Sequence, residues 1–154
     1  MYRQFGYNCN LWRIGMEIKD SKRNLFQRIF GIPVLKPPKD NSFWKLEEGK
    51  IEISIEKVPQ LLMKGTAVRV EGGPLSERIL VIYGEDGEYH ALQNNCTHGK
   101  RCLDPVPGTK TVQCCSIGKS TFGYDGKILK GSAKQNLKSF PISYFEGKLT
   151  IDLE

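Results

Sequence analysis

The chain has 154 residues, 39% of them apolar and 26% charged, with a formal net charge of +6. That is enough for one ordinary domain and a tail, while no apolar run approaches the roughly 20 residues needed to span a bilayer. The positive charge is uneven: residues 1–43 hold eight Lys/Arg against three Asp/Glu and residues 44–154 fifteen against fourteen, which argues against a basic nucleic-acid face on the main domain.

The opening stretch, "MYRQFGYNCNLWRIGM", lacks the basic-then-apolar order of a secretion signal, and a cytoplasmic location is expected. "KDSKRNLFQRIFG" then reads as a short helix. Asp20 or Ser21 is placed to cap it, Leu25, Phe26, Ile29 and Phe30 share one face, and Gly31 followed by Pro33 ends it. Its basic side carries Lys22, Arg23 and Arg28, which suits docking on a partner or an anionic membrane surface. Packing on its own domain is the competing expectation. Pro37 and Pro38 favour a stiff connector, so residues 1–43 are read as a basic extension and 44–154 as the domain proper.

From Trp44 the period changes to two. "KIEISIEKV" alternates Ile51, Ile53 and Ile55 with glutamates, and "TAVRVEG" and "RILVIYG" follow as strands. Asp86-Gly87, Asp125-Gly126 and Glu146-Gly147 mark tight turns between further short strands. Short strands at close spacing with glycine turns predict an all-β antiparallel sandwich or barrel.

Chemistry concentrates in one region. Of five cysteines, Cys96, Cys102, Cys114 and Cys115 fall within 20 residues, together with His98, one of only two histidines. In a chain without a secretion signal such a set reads as metal or redox chemistry sooner than as a disulfide framework. Two loops offering Cys96-x-His98 and Cys115, sixteen residues apart, can clamp a centre between them, since thiolate and imidazole both suit iron and zinc. A lone zinc on Cys96, His98, Cys102 and Cys115 satisfies tetrahedral chemistry at spacings unlike those of common zinc modules. "GKST" at 118–121 copies the end of a phosphate-binding loop without its first glycine or its flanking strand and helix.

With these residues in place, the sequence resembles the Rieske iron-sulfur family. "CTH" at 96–98 matches the family's first loop, with Leu103 at its leucine. Ser120, Phe122, Asp125-Gly126, Gly131 and Ala133 match the stretch after the second loop. The resemblance covers roughly Trp44 to Glu154 and implies a Rieske-type β-sandwich holding a 2Fe-2S cluster, acting as an electron-transfer protein for a larger redox partner. It also implies that Ser120 bonds toward a cluster sulfur. The departure is at the second loop. With Cys115 on the family's second cysteine, Gly118 stands where the second histidine ligand belongs and Lys119 where glycine usually stands. Cys114 or Cys102 is then the substitute fourth ligand, and Lys119 is a source of compensating charge. Adjacent residues on an extended strand face opposite ways, which counts against Cys114 and Cys115 facing one cluster unless the backbone turns there. A cluster-free Rieske fold serving as an interaction module is the alternative.

Overall fold

In a computed structural model, residues 23–37 and 39–154 are described, and twelve short strands form three antiparallel sheets. The first sheet runs β1 (Trp44–Glu47), β2 (Lys50–Ser54), β12 (Lys148–Asp152) and β11 (Ile142–Phe145). The second runs β10 (Ser139–Phe140), β5 (Tyr89–Gln93), β4 (Ile79–Tyr83) and β3 (Thr66–Val70). The third runs β6 (Leu103–Pro105), β7 (Thr111–Cys114), β8 (Thr121–Gly123) and β9 (Ile128–Lys130). The all-β expectation therefore holds. No helix among the described residues is long and apolar enough to cross a membrane.

The second sheet is the middle layer, and this explains the densest apolar run. In β4, Ile79 and Val81 enter one core with Ile51, Ile53, Leu149 and Ile151, while Leu80 and Ile82 enter another with Leu92, Leu103, Val112 and Phe122. A strand covered on both faces has no reason to alternate, so "ILVI" is apolar throughout. Strands with one covered face do alternate, as in β2, where only Ile51 and Ile53 are fully buried.

The expected turns form where glycine allows them. Gly87, Gly126 and Gly147 take φ of 84°, 81° and 79°, and Glu146 joins Gly147 at positive φ in the β11–β12 hairpin. "KIEISIEKV" is strand only to Ser54. Ile55–Lys57 forms a 3₁₀ turn leading into a second one that opens on Pro59, and Ile55 is buried from the turn.

The expected helix is α1 (Leu25–Phe30), but its cap is Asn24 and not Asp20 or Ser21, which lie outside the described residues. Asn24 accepts from the Gln27 amide while the Gln27 side chain accepts from the Asn24 amide, a reciprocal capping box. Gly31 ends it at φ 63°. Leu25, Phe26, Ile29 and Phe30 are all more than half exposed, so the apolar face does not pack on the domain. The polar groups and backbone of this segment do.

Candidate metal centre

The third sheet brings the two loops together. Leu103 pairs with Cys114, so the first loop (94–102) leaves into β6 beside the point where β7 enters the second loop (115–120). The Cys115 amide donating to the Cys102 carbonyl at 3.0 Å extends this pairing by one step.

The first loop is a tight turn about Cys96. Its carbonyl accepts from the Gly99 and Lys100 amides, its own amide donates to the Arg101 carbonyl, and Lys100 sits at φ 54°. Asn94, fully buried, accepts from the Leu103 amide at 2.7 Å and ties the two ends of the loop. Arg78 reaches across to the Asn95 side chain and to the Lys100 carbonyl, the latter at 2.6 Å. These three residues escaped the sequence reading, although the alternation Leu92, Asn94, Cys96 already puts Asn94 on the inward face.

In β7 the same alternation turns Val112 and Cys114 inward. The backbone bends directly after Cys114, with the Lys119 amide donating to the Ser116 carbonyl and the Cys114 amide to the Ser120 carbonyl. Cys114 packs in the inner core, whereas the Cys115 sulfur reaches the Gly31 carbonyl on the preceding segment, so the two side chains keep separate surroundings as strand alternation expects. Lys119 takes φ 47° with an exposed side chain, a backbone state that glycine adopts without strain.

Three of the expected ligands converge: one donor atom each of Cys96, His98 and Cys114 lies within 4.8 Å of the others, with Cys96 Sγ and His98 Nδ1 3.3 Å apart. Cys115 is outside that group; its sulfur donates to the Gly31 carbonyl at 3.2 Å. Cys102, also buried, stands behind Cys115 and is not in the convergent group. All four thiols are free. Ser120 is fully buried, contacts the Cys96 sulfur and accepts from the Ala133 amide at 3.0 Å. Gly131, at φ 101°, passes so close beneath it that an added Cβ would lie 2.4 Å from the Ser120 Cα.

The electrostatics of the sulfurs are shared. Cys96 and Cys115 are pushed above the ordinary thiol value by hydrogen bonding to Cys114 and then by burial, and Cys114 is held well below it by the hydrogen bonds from Cys115 and Cys96. His98, by contrast, is exposed, so the centre has a buried sulfur side and an open imidazole side.

A two-iron cluster is held from two sides by four protein donors. Cys96, His98 and Cys114 converge and buried Cys115 adjoins Cys114 in the chain, so the donors present fit such a group in number and chemistry. The missing histidine is not replaced by another: Gly118 has no side chain, and His90 bonds to Asp86 at 3.0 Å and packs at a tilt against Tyr124 instead.

The sequence profile of the Rieske [2Fe-2S] domain matches residues 54–141, which includes both loops. The ferredoxin components of the naphthalene 1,2-dioxygenase systems of Pseudomonas putida and of Pseudomonas sp. strain C18 are each 32% identical to this chain over 88 residues, 56% of this chain and 79% of theirs. Among solved structures, the ferredoxin of carbazole 1,9a-dioxygenase from Nocardioides aromaticivorans IC177 superposes with a TM-score of 0.53 over 66% of this chain and 93% of its own, at 10% identity. A quaternary ammonium Rieske monooxygenase with bound L-carnitine gives a TM-score of 0.50 at 18% identity, over 62% of this chain and 30% of that larger one. A profile that runs through both loops and the sheets beneath them settles the family: the chain belongs to the Rieske [2Fe-2S] domain family.

Proposed function

We propose that the protein passes single electrons to or from a larger redox enzyme through a two-iron cluster held by Cys96, His98, Cys114 and Cys115. The observation that carries this reading is the convergence of Cys96, His98 and Cys114, with buried Cys115 next in the chain as the fourth donor. The cluster, when bound, supplies a reversible one-electron couple whose potential depends on the ligand charges around it. Ser120 donates its hydroxyl toward the Cys96 sulfur and so favours the more negative, reduced state. The fully buried Cys96, Cys114 and Cys115 keep water from the sulfur side. Exposed His98 gives the short path to a docked protein. Three thiolates with one imidazole place the potential below that of the two-Cys, two-His form, whose range is about −150 to +300 mV.

The dioxygenase ferredoxins among the relatives support an oxygenase or similar oxidoreductase as the partner class. The outward face of Leu25, Phe26, Ile29 and Phe30 is the proposed docking element; Arg23 and Arg28, expected on a basic docking side, bond the domain instead. Serine in place of Phe26 and Phe30 together should weaken association with the partner enzyme; an unchanged affinity removes the helix from the interface. The primary test is iron and acid-labile sulfide content, with the visible spectrum, on protein purified without oxygen. About two of each per chain is the expected result. Protein that holds neither after anaerobic reconstitution overturns the reading.

A further inference from the structure

The segment preceding the sheets is strapped across the second loop. The Val34 and Leu35 amides both donate to the Asp104 carboxylate at 2.9 Å, and Arg69 reaches the Leu35 carbonyl at 3.3 Å. Arg101 bonds the Ile29 carbonyl at 3.4 Å, and Arg28 bonds the Gln113 side chain at 3.3 Å. The innermost contact is Arg23. Its side chain is only 4% exposed, it pairs with Asp104 through Nη2, and Nη1 donates to the Cys114 carbonyl at 3.4 Å.

A guanidinium is expensive to bury, and this one keeps its Nε unpartnered among the described residues. Pairing with Asp104, which lies opposite Gln113 in the β6–β7 ladder, brings the cation to this loop but does not by itself call for the further bond to the Cys114 carbonyl. The chemistry of the loop explains it. A neutral imidazole is missing at Gly118 and a thiolate has taken its place, so the site carries one more negative charge than the standard ligand set.

We infer that Arg23 is a positioning residue for the centre, a buried cation that the basic extension delivers to offset the charge of the additional thiolate and so keep the reduced cluster stable. The inference rests on the three-thiolate ligation proposed above. Asp104 offsets part of the guanidinium charge, and the Val34 and Leu35 amides share the same carboxylate. The role expected for Lys119 thus falls to a residue 91 positions before Cys114 in the sequence.

The experiment uses the full chain and compares wild type with Arg23→Gln and Arg23→Lys, measuring iron and sulfide per chain and the midpoint potential by spectroelectrochemistry. With the cluster retained, Arg23→Gln should weaken the electron affinity about tenfold, a negative shift of about 59 mV for one electron, and Arg23→Lys should restore most of it. If glutamine abolishes iron binding and lysine retains it, the positive charge is required for assembly, and the inference holds in its stronger form. Wild-type potentials in both variants, or loss of iron in both, overturn it. A wild-type protein without iron or sulfide overturns the ligation reading itself, an outcome separate from the others.

Discussion

Restoring the family's second histidine tests the ligand exchange directly. In Cys114→Ser/Gly118→His the donors become Cys96, His98, Cys115 and the imidazole introduced at position 118, at the family's own spacing, and the thiolates fall from three to two. All-cysteine plant-type clusters lie near −400 mV and two-Cys, two-His clusters begin near −150 mV, so one exchange should raise the potential by about 125 mV or more. The site has room for the side chain after one adjustment. A Cβ at Gly118 would lie 2.7 Å from the Ser132 Oγ but 3.7 Å from its Cβ, so Ser132→Ala removes the clash and leaves an ordinary contact. That change loses only the 3.4 Å contact between the Ser132 and Ser120 hydroxyls. The assay is redox titration followed in the visible spectrum on the triple variant, with Ser132→Ala alone as control. A triple variant loaded with iron at an unchanged potential refutes the reasoning, because Cys114 was then never a charged ligand.

Other consequences follow from single contacts. Gly131→Ala drives a Cβ into the Ser120 backbone at a positive φ, which should cost about 1–3 kcal/mol in urea unfolding and displace Ser120 from Cys96; a variant as stable as wild type contradicts the close approach. Asn94→Ala leaves the buried Leu103 amide without its acceptor and should cost about 1–3 kcal/mol, measured the same way. Lys119→Gly relieves a left-handed residue and should raise stability by about 1 kcal/mol, with iron content unchanged. Asp125 is held below the usual carboxylate range by the Lys127 amide and then by the Lys127 side chain. Its contribution is complete above the unfolded pKa and disappears as pH falls through the depressed folded value. Asp125→Ala should therefore flatten the acid limb of the stability profile and leave the neutral limb parallel to wild type.

How much of this was legible without coordinates varies with the range of the interaction. Alternation in β2 and β12, glycine after an acidic residue at the hairpins, and the crowding of four cysteines with His98 are local signals, and each led to the correct element or region. The strand at 79–83 was legible as apolar but not as the middle of three layers, since a doubly covered strand loses the alternation that would assign its faces. Asp104 shows the limit plainly. Nothing in "LDPV" marks a carboxylate that anchors Arg23, Val34 and Leu35 from about 70 to 80 positions away.

The sequence by itself determined the all-β class, the family and the inability to build a two-histidine site, because those depend on which residue types stand at which spacings. Only the tertiary structure decided which sulfurs meet. Cys114 turns inward with Val112 by strand parity and meets Cys96 and His98, while the strap brings Gly31 to the Cys115 sulfur and Arg23 to the Cys114 carbonyl. Those outcomes depend on where the backbone bends and on what crosses it from distant parts of the chain, which spacing along a sequence does not encode.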